Sequence, residues 1–360
     1  MVDHAINIPE IVKSLLQDTV VSRLSGNEWS HLLSNLGSKK LYETFKVIFK
    51  SEIALKAVPD QDFKTIVTKV LTEGFMNNEV LQILMQDQLV DRISGNDWTH
   101  IIEEVIANHQ DGTANAILKN ERLLSRLPSD AVPKIVTALS KHSEAKLELI
   151  VSFVGSSLAS HVKADEWEKL VIAYVGTTRD ANAVYLLKSQ TIAAQLSDKA
   201  MDQLIHLSLE RSPQYGPSNQ FVATISQPLI ASRISGNEWG QLLSFLVIRN
   251  RDMLAWPLLR NAELMSRVPD NLFSGLVDKL LTTESFLNLD LTNTLKMDHI
   301  QTRVSSSQFE EFMSRMHQRG RDDVVSLLME SPKIAERVHG ATDSHLPVVS
   351  ISQRDLMHRT

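Results

Sequence analysis

An all-α fold, made by stacking helical hairpins, is predicted by three features of the chain. An apolar anchor returns about every 35 residues, a helix-start signal follows each anchor, and an apolar stripe of helical spacing follows each start. The anchors are Leu24, Val58, Ile93, Leu127, Val162, Leu196, Ile234, Val268, Val304 and Val338, separated by 34 to 38 residues. A fixed period in this range marks an α-solenoid, whose units bury their apolar faces only against neighbours. The expectation is about nine hairpins of 34–38 residues in a right-handed superhelix over residues 1–340, with a bend near 212–220 and an irregular tail over 341–360.

Each unit opens with a capped helix. Ser25 with Glu28, Ser94 with Asp97, Ser235 with Glu238 and Ser305 with Gln308 have capping-box spacing. Pro59, Pro128 and Pro269 take the same slot elsewhere, where a missing N–H does little harm. The helix that follows carries apolar residues three and four apart, as in Trp98, Ile101, Ile102 and Val105. Trp29, Trp98, Trp167 and Trp239 each stand five residues after an anchor. Phe63, Val132, Met201 and Phe273 hold the same phase between them, so large rings and smaller side chains alternate from level to level. All eight are assigned to the core.

A polar loop then interrupts the chain. Asp111, Asp180, Asp252 and Asp322 fall eighteen residues past their anchors and read as N-caps of a second helix. That helix runs toward the next anchor with a break near its middle, to which Pro228, Pro257 and Pro332 point. An arginine precedes seven anchors, as Arg23, Arg92, Arg126, Arg233, Arg267, Arg303 and Arg337. A cation there suits the end of a helix and can bind its last carbonyls, so these arginines are read as structural.

Composition removes several function classes. The 360 residues include no cysteine, which excludes disulfides, thiolate metal sites and cysteine nucleophiles and fits a reducing compartment such as the cytoplasm. No secretory signal and no uninterrupted apolar run of about 18 residues is seen, so a soluble chain without a membrane partner is expected. The twelve histidines form no ligand pattern, and no phosphate-binding glycine loop or paired-carboxylate motif occurs. No cofactor, no metal and no enzymatic activity are expected.

In length and hairpin form the units resemble the tetratricopeptide, pentatricopeptide and TAL-effector repeat classes. Ser34-Asn35-Leu36-Gly37-Ser38-Lys39 looks like a TAL-effector base-reading loop, whereas the corresponding Thr137–His142 and Ser244–Arg249 segments do not. The resemblance implies a non-enzymatic solenoid that binds an elongated macromolecule. Loops vary without disturbing a stack, so those between first and second helices form the candidate surface. Arg179, Arg251 and Arg321 share one phase there and are the candidate partner-binding residues. The long loop at Ser212–Gln220 is a second candidate. A net charge of -6 favours a protein or peptide partner. The alternative is a nucleic-acid strand read through the repeat loops, which requires Lys and Arg to neutralise phosphates.

Overall fold

The computed structural model describes residues 14, 16–17, 23–38, 41–73, 78–177, 180–286 and 288–341. Their regular structure is α-helix with two short 3-10 turns, and no strand occurs among the described residues, so the fold class is all-α. None of the described helices is long and apolar enough to cross a membrane. The chain divides into two compact units, Met1–Ser212 and Pro213–Thr360. The expected tail lies outside the described residues from position 342 onward, and the last described helix is Pro332–Ala341.

In both units a long helix is followed by two short ones. The first unit has long helices at Gly26–Ser38, Asp60–Thr72, Gly95–Ala107, Ala131–Lys141, Ala164–Tyr174 and Asp198–Arg211. The second has Gly236–Ile248, Asp270–Thr282 and Ser306–Gln318. Their starts follow the capping logic. Glu28 and Gln308 close reciprocal boxes with Ser25 and Ser305, while Asp97 is too short to reach back and takes the Ser94 hydroxyl instead.

The break in the second arm is set by capping more than by proline. Ser51, Asn120, Ser189 and Asn261 each accept the backbone N–H three residues on and so start the second short helix. Pro228 and Pro332 open their short helices, but Pro257 stays inside Asp252–Leu259, two residues before that helix ends. The aspartates expected as N-caps are instead the first helical residues of Asp111–Leu118, Asp180–Lys188, Asp252–Leu259 and Asp322–Met329. The preceding turn explains the shift at Asp111, Asp252 and Asp322. His109, Asn250 and Gly320 adopt left-handed φ of 57°, 54° and 66°. The next N–H, of Gln110, Arg251 or Arg321, then bonds back to Val105, Leu246 or Met316, which closes the long helix and places the cap one residue early.

The tryptophans are buried as expected, together with Phe63, Val132, Met201 and Phe273. Each indole N–H also needs an acceptor in the core. Trp98 Nε1 donates to the Val90 carbonyl at 3.1 Å, and Trp239 Nε1 donates to Ala231 at 3.4 Å. Trp29 Nε1 is buried with no acceptor among the described residues.

The glycine before the tryptophan has its own cause. At Gly26, Gly95 and Gly236 a Cβ would fall far inside contact distance of the carbonyl oxygen of Ala57, Arg126 and Arg267, respectively. The end of one second arm therefore lands on the start of the preceding long helix, where only a bare Cα fits.

The anchor arginines lock the same junction. Arg92 donates to the Leu55 and Val58 carbonyls at 2.7 and 2.6 Å, pairs with Asp60 at 2.9 Å and lies 4.2 Å from the centre of the Phe63 ring. Arg303 does the same with Met265, Val268, Asp270 and Phe273. Arg126, Arg267 and Arg337 likewise reach earlier carbonyls, as does Arg211, which precedes no anchor. The carbonyls bound lie 33 to 39 residues back, so each anchor arginine caps the preceding segment's arm and not its own, while Arg211 caps the end of the long helix Ala164–Tyr174. A planar five-donor fork can serve two carbonyls and a carboxylate together, which a lysine cannot match. Asp91 is held in the same way by Arg122 and Arg126, and the Arg122 guanidinium in particular keeps its carboxyl below the usual range.

Gly236→Ala should therefore destabilise the protein by about 1–3 kcal/mol, the range for overpacking. Gly275→Ala, in a long helix with nothing within 4 Å of the new methyl, should stabilise by about 0.5–1 kcal/mol. Urea unfolding of the two variants checks the pair, and equal effects would contradict the close approach at Gly236.

Candidate functional site: a loop edge and a histidine relay

The arginines that precede the anchors spend their donors on backbone carbonyls, which leaves the loops after the long helices as the surface to consider. Arg179 lies outside the described residues. Arg251 donates to the Tyr215 carbonyl at 2.6 Å and to Asn219 Oδ1 at 2.9 Å. Arg321 makes a two-pronged pair with Asp323 at 2.9 and 3.0 Å. Arg251 and Arg321 are thus each tied to their own neighbourhood, Arg251 to the 215–219 loop and Arg321 to the start of its second arm.

The second unit carries an apolar edge around Arg251. Arg249 donates to the Pro213 carbonyl at 2.8 Å and lies over the Phe245 ring. Gly216, with φ of +66°, lets that ring lie directly against the loop, where a Cβ would collide with it. The loop and the end of the long helix are therefore fastened together at Pro213, Tyr215, Gly216 and Asn219. Three large apolar side chains remain in solvent along this stretch: Tyr215 is 71% exposed, Ile248 56% and Met253 80%. Arg249, Arg251, Arg319 and Arg321 stand among Asp252, Glu284, Asp322 and Asp323, so these loops carry no surplus of positive charge.

The first unit holds a second arrangement. His109 closes the Gly95–Ala107 helix, Asp111 starts the next, and His142 ends the Ala131–Lys141 helix one period on. Asp111 Oδ1 meets His142 Nε2 at 2.6 Å, while its other oxygen accepts the Lys146 backbone N–H at 2.7 Å. His142 Nδ1 then meets His109 Nδ1 at 2.8 Å. Asp111 and His142 are buried, and His109 is exposed. The buried Tyr174 donates to the Leu139 carbonyl at 2.8 Å, and its hydroxyl is pushed up first by burial and then by the Asp111 charge. A cleft of about 310 Å³ opens beside the relay, lined by Glu103, Ile106, His109, Lys134, Lys141 and His142 among others. No three His, Asp or Glu side chains among the described residues converge as a metal site.

Local motif reading missed this relay because its members are distant in sequence. Asp111 and His142 are 31 residues apart, close to one period, and comparing loop residues at that separation would have joined them. No protein-family model, curated protein or solved structure matches the chain.

Arg251→Ala should free the Tyr215 carbonyl and the Asn219 side chain at a cost of about 1 kcal/mol, typical of hydrogen bonds at a partly exposed site. Hydrogen exchange across 213–221 should accelerate while the Gly236–Ile248 helix keeps its protection. Unchanged exchange in the loop would contradict the pinning role.

Proposed function

We propose that the chain is a non-enzymatic α-solenoid of about nine hairpins in a right-handed superhelix, and that it binds a protein or peptide partner along the loops between its first and second helices. The stack is supported by hydrogen bonds that recur at one period, in which each segment supplies donors to the one before. The observation that carries the partner reading is the exposed trio Tyr215, Ile248 and Met253 beside Arg249 and Arg251.

Single exposed apolar residues are ordinary, but three along one pinned edge are not. Tyr, Met and Arg are the types enriched where protein interfaces close. Burying such a side chain contributes about 1.5–3 kcal/mol, whereas an exposed charge contributes at most about 1 kcal/mol. The apolar trio would supply most of the affinity, with Arg179, Arg251 and Arg321 setting register. A nucleic-acid partner is the weaker reading, since the carboxylates among the second unit's loops match its arginines.

The test is affinity capture from nuclease-treated host lysate with the wild-type chain and with the Ile248→Asp/Met253→Asp variant. A captured protein that the variant loses, with helicity unchanged, is the expected result. Capture by the variant at wild-type level would overturn the proposed edge. Nuclease-sensitive capture with a steep salt dependence would replace the protein partner with nucleic acid.

A further inference from the structure

We propose that the cleft beside His109 binds a small oxyanion, a carboxylate or phosphate group, and takes up one proton as it does so. The argument starts from what the relay can share. An ionised Asp111 can only accept, and both its oxygens are used, so His142 Nε2 carries a hydrogen. That leaves His142 Nδ1 facing His109 Nδ1 at 2.8 Å, a contact that holds one hydrogen and only one.

Two states follow. With both rings neutral, the shared hydrogen belongs to His109 Nδ1, and His109 Nε2 presents a bare lone pair outward. When a proton from water binds at Nε2, the shared hydrogen passes to His142 Nδ1. His109 is then neutral with an outward N–H, and the positive charge sits on buried His142 against Asp111. One proton thus converts the exposed nitrogen from acceptor to donor, and the charge it brings is matched by a carboxylate already in place.

The cleft lining fits the donor state. Lys141 is exposed and makes no ion pair among the described residues, while Lys134 is shared with Asp130 at 2.8 Å. Glu103 is the one carboxylate in the lining and opposes an anion. Tyr174 and Lys146 also adjoin the relay, Tyr174 kept protonated by burial and Lys146 through its backbone N–H on Asp111. An oxyanion placed between Lys141 and His109 Nε2–H would meet two donors, and by linkage it would draw the proton that creates the second. The volume, about 310 Å³, is at the small end for ligand sites and suits a compact group.

Acetate is the probe, because it stays singly charged across the neutral range, and inorganic phosphate is the second arm. Calorimetry in buffers of different ionisation enthalpy should show one proton taken up per acetate, with affinity rising about tenfold per unit fall in pH while the relay is neutral. Histidine 15N spectra should show His109 changing from the Nδ1–H to the Nε2–H form on binding. His109→Asn keeps a residue type that tolerates the left-handed backbone but cannot carry the relay, and it should lose at least tenfold in affinity. Lys141→Gln should weaken binding without abolishing proton uptake. Acetate and phosphate both binding points to a general oxyanion site, and preference for one names the class. Absence of binding by either, pH-independent binding of acetate, or unchanged affinity in His109→Asn would each overturn the proposal.

Discussion

Short helices leave many carbonyls without partners, and this chain is made largely of short helices. The last turn of a four- to ten-residue arm cannot satisfy its own acceptors, and burying them unpaired would cost about 1–3 kcal/mol each. The guanidinium one period later solves this: Arg92 and Arg303 each bind two terminal carbonyls and an aspartate and cover a phenylalanine ring. The same junction demands glycine at 26, 95 and 236, because the second short arm ends against the bare Cα of the earlier helix, at the carbonyl of Ala57, Arg126 or Arg267. The motif Arg92-Ile93-Ser94-Gly95-Asn96 therefore serves two successive joints. Its arginine reaches backward and its glycine receives the next arm.

Much of this was legible in the chain. The period, the capped helix starts and the tryptophan column all follow from local spacing, and the structure buries the rings where the stripe puts them. The structural reading of Arg92 and its counterparts was also legible, but its direction was not, since a side chain's reach across a period leaves no mark in spacing. Pro257 misled for a related reason. It stands inside the helix, two residues short of its end, whereas the break itself depends on Ser and Asn side chains that look unremarkable in a polar stretch.

The candidate sites were less legible than the fold. Arg251 was singled out by its phase, but its bond to the Tyr215 carbonyl depends on how the loop between Arg211 and Asn219 folds back, and that stretch has no counterpart elsewhere in the sequence. Asp111, His142 and His109 were invisible as a group because each has an ordinary local explanation: a helix start, a helix end and a turn. Only stacking brings them within 2.6 to 2.8 Å. In a chain cohering at one period, chemistry is to be sought between residues one period apart.

The central claim is that segments cohere through guanidinium groups that reach back one period, and urea unfolding of Arg303→Lys tests it most directly. A lysine cannot serve the Met265 and Val268 carbonyls and Asp270 together, so the account predicts a loss of about 1–3 kcal/mol with faster hydrogen exchange at the end of the Ala262–Arg267 helix. Unchanged stability and unchanged exchange would contradict it.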